Sequence, residues 1–161
     1  MQHPSESKHA KNSARLVKLI FPDTQILVGE NEEDFDALKM QVSQSPHNYH
    51  LIYPGENSQP LEPNLQALLP APNNKLIFID ATWRKALKMW HTNPWLSQCN
   101  QWHFNTPPTG RYQIRKTSVD GGLSTLEAVA YSLKTAYAQE DTALLKLFDA
   151  MQSHHLTRRA T

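Results

Sequence analysis

Residues 76–90 read LIFIDATWRKALKMW and contain the strongest fold signal of the chain. The stretch 76–79 is a short run of branched and aromatic residues that is apolar on both faces, which is typical of a buried strand in a parallel sheet. Trp83, Leu87 and Trp90 follow it at helical spacing. A buried strand that leads directly into a helix indicates an α/β fold.

The same alternation extends on both sides of this unit. Four other segments have the composition of strands, at 25–28, 50–53, 101–104 and 112–114. Four more helices are predicted from apolar residues at helical spacing, at 10–21, 34–42, 126–137 and 144–151. The proline-rich stretch 60–74 is predicted to be a loop with at most a helical turn at 65–69. We therefore expect one domain over residues 1–161, a mostly parallel sheet flanked by helices, with a polar tail from about His154.

Composition limits the possible classes of protein. The 16 Lys and Arg residues nearly balance the 15 Asp and Glu residues, so a nucleic-acid surface would have to be local. One cysteine, Cys99, excludes an internal disulfide and a thiolate-based metal site, and His47 and His50 lack further ligands at zinc spacing, so no metal is predicted. The apolar runs are too short to span a membrane and no signal peptide follows Met1, so we expect a cytoplasmic protein.

Three segments lie where ligands bind in open parallel sheets, at the carboxyl ends of the predicted strands. They are Tyr53-Pro54-Gly55, Asp80-Ala81-Thr82-Trp83 and the stretch 120–127. Asp80 is interpreted either as the N-cap of the following helix or as a carboxylate that acts as a base or orients a ligand. Trp83 is interpreted as a core residue, a stacking platform or both, whereas Trp90 is expected in the core.

The stretch 120–127 also has two interpretations. Ser124 and Glu127 have the spacing of a capping box, which would account for the segment in structural terms alone. Alternatively, Gly121 and Gly122 allow a carboxylate or phosphate to approach the free amides at the start of the helix. The segment lacks the sequence of a P-loop, so the signal is weak by itself.

Basic residues occur in groups along the chain. Each group alone is expected to be a solvated face, but several groups converging beside Trp83 or Trp102 would suit RNA. The acidic run 30–36 would then lie elsewhere. The groups are Lys8, Lys11, Arg15 and Lys18; Arg84, Lys85 and Lys88; Arg111, Arg115 and Lys116; and Arg158 and Arg159.

Several separated motifs together resemble the DTW-domain family. The opening stretch 3–16 contains His3-Pro4-Ser5-Glu6 and Asn12-Ser13-Ala14-Arg15-Leu16, and Tyr53-Pro54-Gly55 matches the family's tyrosine-proline-glycine turn. The stretch 76–86 matches the strand and aspartate-x-threonine-tryptophan signature, and 112–116 and 123–128 match the closing motifs. The resemblance extends from residue 3 to about residue 140.

The resemblance implies a transferase that moves the 3-amino-3-carboxypropyl group of S-adenosylmethionine to N3 of a uridine in tRNA. It also implies a fold related to the SPOUT methyltransferases, in which a C-terminal trefoil knot can form the cofactor pocket. Family members usually carry a cysteine-rich zinc module before the histidine-proline motif. This chain begins almost at that motif, so either the module is absent or the start is internal.

The resemblance also suggests roles for individual residues. Asp80 is the candidate base or orienting group for the uracil N3 proton. Candidate tRNA-phosphate contacts are Lys8, Arg15, Arg84, Lys85 and Arg115. Candidate cofactor contacts are Ile52, Tyr53, Pro54, Gly55, Asp80, Thr82, Trp83, Gly122, Leu123, Ser124 and Thr125. Three other functions stay open: a SPOUT-like RNA methyltransferase, a non-catalytic RNA-binding module, and a small-nucleotide-binding protein.

Overall fold

The computed structural model describes residues 1–8, 12–62, 73–111 and 122–160, with side chains to residue 157. Its sheet has four parallel strands in the order β2-β4-β1-β3. The strands are β1 (Tyr49–Ile52), β2 (Gln59–Pro60), β3 (Lys75–Phe78) and β4 (Asn100–His103). The predicted α/β class with a parallel sheet is therefore confirmed, and three of the predicted strands lie within one residue of their observed positions.

Helices cover both faces of this sheet. Along β1, Leu51 packs with residues of α3 and α4, whereas Ile52 lies in a second cluster with Ala136 of α5, because neighbouring side chains of a strand point to opposite faces. A third cluster joins α2, α5 and α6. The α-helices in the described parts of the chain are α1 (Pro4–Ser7), α2 (Ser13–Ile20), α3 (Asp36–Gln44), α4 (Trp83–Thr92), α5 (Thr125–Tyr137) and α6 (Thr142–Ala160).

The first three residues extend the sheet beyond β3. The backbone nitrogen of Met1 donates to the Phe78 carbonyl at 2.9 Å, and the Asp80 N–H donates to the Met1 carbonyl at 2.8 Å. On its other side, the Gln2 N–H donates to the Leu27 carbonyl at 2.7 Å. Residues 1–3 are thus held between the end of β3 and the segment 27–29.

Three expectations need correction. The predicted strand 25–28 forms only an isolated bridge between Val28 and Gln2, because the described chain provides no pairing partner beside 25–27. The predicted loop 60–74 begins within a strand, since Pro60 belongs to β2. The first long helix begins at Ser13 and not at residue 10, because the side chain of Asn12 caps it by accepting from the Ala14 N–H at 3.0 Å.

Some predictions fall outside the described residues. These are the strand 112–114 and the helical turn 65–69. The relation to SPOUT enzymes and the trefoil knot stay predictions. Among the helices that the structure describes, none combines the length and the apolar composition that crossing a bilayer requires.

Candidate functional site

Asp80 lies just after β3 and joins three parts of the chain. Its Oδ2 accepts a hydrogen bond from the Gln2 side-chain amide at 2.7 Å, and its Oδ1 accepts from the Thr125 hydroxyl at 2.5 Å. The N-cap of α4 is Thr82, so the interpretation of Asp80 as that cap is wrong. Both carboxylate oxygens instead hold the start of α5 and the N-terminal segment at the carboxyl end of the sheet.

The start of α5 is fixed by the predicted capping box, which the structure confirms. The Ser124 hydroxyl accepts from the Glu127 N–H at 3.3 Å, and the Glu127 carboxylate accepts from the Ser124 N–H at 2.8 Å. The other Glu127 oxygen accepts from the Arg111 N–H, which draws the segment before residue 112 to the helix. Glu127 is 5% exposed, so its bonds with Ser124 are shielded from water, whereas the bond from the exposed Arg111 is only partly buried.

Two amides at this helix end are unpaired, the one of Thr125 in a partly exposed residue and the one of Leu126 in a fully buried residue. The N–H groups of Thr125 and Leu126 have no hydrogen-bond partner within the ranges that the structure describes. Together with the helix dipole, such amides favour a carboxylate or another anion. The backbone is also closely packed here, because a Cβ at Gly110 would lie 3.2 Å from the Gly122 carbonyl oxygen. Glycine at this position lets the two segments approach each other.

The Tyr53-Pro54-Gly55 turn lies at the same edge, after β1. The Tyr53 ring stacks on Trp90 with 5.7 Å between ring centroids. Trp90 packs against the core cluster that contains Leu51, as expected. The Gly55 N–H donates to the Tyr53 carbonyl at 2.8 Å, and a Cβ at Gly55 would lie 3.1 Å from Oε1 of Gln101. This buried Oε1 has no hydrogen-bond partner in the described structure, so the turn lies beside an unused acceptor.

The predicted cofactor residues separate into two groups. Asp80 and Thr125 touch directly, with Gly122, Leu123 and Ser124 leading into the same helix end. Ile52, Tyr53, Pro54 and Gly55 lie at the end of β1, one strand away, and Thr82 and Trp83 lie at the start of α4, two and three residues after Asp80. Trp83 is 38% exposed, which leaves part of its ring available for stacking.

Two groups of basic residues meet at the short helix α1. The guanidinium of Arg15 donates to the Ser7 carbonyl at 2.9 Å, and Nζ of Lys85 donates to the Ser5 hydroxyl at 2.6 Å. Lys8 and Arg84 are exposed beside them in sequence. Arg115 lies outside the described residues, so its position relative to this surface is not assigned.

The acidic run does not lie apart from the basic residues. Glu30 contacts Lys88 at 2.7 Å and His3 at 3.6 Å. The hydrogen bond from the Lys88 ammonium holds the pKa of Glu30 below its ordinary value. The expectation that the acidic run 30–36 lies apart from the basic residues is therefore wrong for Glu30. The carboxylate of Glu30 also partly neutralises the charge that Lys88 could offer to a phosphate.

Sequence reasoning missed Gln2 and the segment 110–111. Gln2 is 3% exposed and binds Asp80 through its side chain, while Gly110 and Arg111 pack on the start of α5. Each contact joins residues that are distant in sequence, so no local pattern signals it.

Burial raises the pKa of Cys99 to about 11, which keeps the thiol protonated. No group of three potential metal ligands occurs among the described side chains.

Comparisons with known proteins agree with the motifs at this site. The family model of the DTW domain matches residues 1–156. The chain is similar to tRNA-uridine aminocarboxypropyltransferase 2 of Drosophila melanogaster, with 29% identity over 138 residues, covering 83% of this chain and 53% of that protein. It is also similar to the protein of the same name in Macaca fascicularis, with 26% identity over 168 aligned positions, covering 99% and 55%.

The chain thus spans about half the length of the curated relatives it matches. No solved structure matches it.

Proposed function

This chain belongs to the DTW-domain family, and from that premise we propose that it is a tRNA-uridine aminocarboxypropyltransferase. It would transfer the 3-amino-3-carboxypropyl group of S-adenosylmethionine to N3 of a uridine and release 5′-methylthioadenosine. The observation that carries the proposal is the family match over nearly the whole chain, with the signature residues Asp80 and Trp83 at the carboxyl end of the sheet.

The start of α5 has the chemistry to hold the methionine part of the cofactor. S-adenosylmethionine supplies a sulfonium that activates three neighbouring carbons, so the protein must select which one meets the nucleophile. The unpaired N–H group of Thr125, in a partly exposed residue at the positive end of the helix dipole, fits a carboxylate, and a carboxylate at this point fixes the orientation of the attached chain. The backbone of Ile52–Gly55 would contact the adenine side.

Asp80 would act on the uracil. Because the N3 proton must leave, a carboxylate near the acceptor can remove it or orient the base for its removal. Both Asp80 oxygens already accept one hydrogen bond, from Gln2 and Thr125, which fixes the carboxylate plane and leaves one lone pair on each oxygen. This arrangement supports the proposal that Asp80 is a rigidly positioned acceptor for the uracil N3 proton.

The tRNA would bind across α1 and the start of α4. Here Arg15 and Lys85 converge on the same four-residue helix, and Lys8 and Arg84 are exposed. Phosphate contacts of this kind position a nucleic acid without reading its sequence. The exposed part of Trp83 provides a surface on which a base can stack.

We expect Gly122→Val to weaken S-adenosylmethionine binding while the protein stays folded. A branched side chain next to the free amides of α5 would occupy the space that the carboxylate needs. Isothermal titration calorimetry measures the affinity, and circular dichroism monitors the fold. Met40→Ala, at an exposed position on α3, is the control. Unchanged affinity in a folded Gly122→Val protein would show that the cofactor binds elsewhere.

We expect the affinity for tRNA to fall steeply with salt, and Arg84→Ala to reduce the slope of log K against log[salt] by about one. Arg84 is exposed, so its loss removes one phosphate contact without disturbing the core. Fluorescence anisotropy at several salt concentrations gives the slope. Lys146→Ala, which removes an exposed cation from α6, should leave the slope unchanged. Equal slopes for Arg84→Ala and the parent protein would contradict the assignment.

A further inference from the structure

The turn after β1 has no backbone donor left for a ligand. The Tyr53 N–H donates to the Trp102 carbonyl at 2.9 Å, and the Gly55 N–H donates to the Tyr53 carbonyl at 2.8 Å. Pro54, which lies between them, has no N–H. A ligand group that forms a hydrogen bond with the backbone of this turn must therefore be a donor, because the backbone can only accept.

His103 brings a further acceptor to the same turn. It is the last residue of β4, the strand beside β1, and its Nδ1 lies 2.9 Å from the hydroxyl oxygen of Ser58. The Ser58 hydroxyl in turn donates to the Gly55 carbonyl at 2.7 Å. Ser58 therefore links the imidazole ring to the turn that contains Gly55.

These two bonds determine the tautomer of the neutral ring. A hydroxyl has one hydrogen, and Ser58 uses it on the Gly55 carbonyl, so Nδ1 of His103 must be the donor in the 2.9 Å contact. In a neutral imidazole, a hydrogen on Nδ1 leaves a lone pair on Nε2. Nε2 has no hydrogen-bond partner within the described ranges and is not fully buried, so it is open to a donor.

The position of His103 suits one end of a long ligand. In the strand order β4-β1-β3, two strand spacings, or about 10 Å, separate the ends of β4 and β3. Thr125, whose amide is proposed to hold the methionine carboxylate, lies beside Asp80 after β3. A ligand that binds Thr125 with one end can therefore cross the turn after β1 and meet His103 with the other.

We propose that His103 selects adenine by accepting a hydrogen bond from its 6-amino group at Nε2, and that Ser58 is the residue that positions the ring. This inference rests on the proposed S-adenosylmethionine site. The 6-amino group is a hydrogen-bond donor of adenine, and it matches a part of the sheet edge that offers acceptors. A purine with an oxygen at position 6 would instead place its lone pairs against that of Nε2, which disfavours its binding.

The test compares two ligands that differ only in this amino group. They are 5′-methylthioadenosine and the analogue in which purine replaces adenine, and calorimetry measures both affinities. We expect the parent protein to bind the adenine compound about fivefold or more tightly, and His103→Phe to bind the two almost equally. His103→Gln, whose amide oxygen can reach the position of Nε2, should keep part of the preference. His91→Phe, at an exposed position in the last turn of α4, is the matched control and should keep all of it.

Ser58→Ala tests the positioning role. Proton–nitrogen correlation NMR of the histidine rings, at about pH 8 to keep imidazoles neutral, shows which ring nitrogen carries the hydrogen. We expect His103 of the parent protein to be protonated at Nδ1 and not at Nε2. In Ser58→Ala the fraction of rings with an unprotonated Nε2 should fall, and the preference for the adenine compound should fall by about twofold or more. The spectrum of the parent protein tests the tautomer even if His103→Phe does not fold.

The outcomes separate this inference from the proposed function. An undiminished preference for the adenine compound in folded His103→Phe would overturn the inference and leave the proposed function intact. A His103 ring protonated at Nε2 in the parent protein would do the same. If the parent protein binds neither 5′-methylthioadenosine nor S-adenosylmethionine, the proposed function fails and the inference fails with it.

Discussion

Asp80→Asn is expected to lower the rate of aminocarboxypropyl transfer by roughly 10²–10⁴-fold, the usual contribution of a positioned base. Asparagine keeps the shape of the side chain but removes the charge that accepts or orients the uracil proton. Single-turnover kinetics with saturating S-adenosylmethionine and tRNA measure the rate. Cofactor affinity, measured by calorimetry, should change much less, because the lost interaction forms in the transition state.

The local structure makes this substitution a mild one for the fold. The asparagine carbonyl can still accept from the Thr125 hydroxyl, and the Gln2 amide can rotate to accept from the new NH₂ group. We therefore expect a loss of unfolding free energy of only about 1 kcal/mol. Asp36→Asn, at an exposed position in the first turn of α3, is the matched control and should be fully active. A near-normal rate for Asp80→Asn would show that Asp80 only holds Gln2 and Thr125 together and takes no part in the reaction. A large loss of cofactor affinity with a modest rate loss would make it a cofactor ligand.

The second large effect concerns stability. Glu127→Ala should lower the free energy of unfolding by about 2–4 kcal/mol, because it leaves the buried Ser124 N–H without its acceptor and also removes the acceptor that holds the Arg111 N–H to α5. For a chain of this length the loss corresponds to a fall of roughly 5–15 °C in the thermal midpoint. Urea denaturation followed by circular dichroism gives the free energy.

Two further variants distinguish the stability contributed by the capping box from that contributed by the hydrogen bond between Arg111 and Glu127. Ser124→Ala removes one half of the capping box and should cost about 1 kcal/mol. Glu140→Ala removes an exposed carboxylate after α5 and should lie within about 0.5 kcal/mol of the parent. If Glu127→Ala costs no more than Ser124→Ala, the bond to Arg111 contributes nothing to stability.

Local patterns predicted the parts of the fold in which neighbouring residues determine the structure. The run at 76–79 is apolar on both faces and the helix signal follows at once, so β3 and α4 were found nearly to the residue. The Ser124–Glu127 capping box was predicted for the same reason, since both of its bonds join residues three apart.

Contacts between distant segments could not be predicted in this way. The bond from Gln2 to Asp80 joins residues 78 apart, and the one from Arg111 to Glu127 joins residues 16 apart. The strand predicted at 25–28 failed for a related reason, because strand composition is satisfied only where a neighbouring strand is present. The sequence correctly predicted that Asp80 lies at the carboxyl end of a strand. It did not predict the hydrogen-bond partners Gln2 and Thr125, because both are distant from Asp80 in sequence.

The most direct test of the proposed function is mass analysis of nucleosides from unmodified tRNA incubated with the protein and S-adenosylmethionine. We predict a uridine that carries the 3-amino-3-carboxypropyl group, together with an equal amount of 5′-methylthioadenosine. A methylated nucleoside with S-adenosylhomocysteine would contradict the proposal and identify an RNA methyltransferase. Unchanged tRNA that nevertheless binds the protein would contradict it in favour of a non-catalytic RNA-binding module.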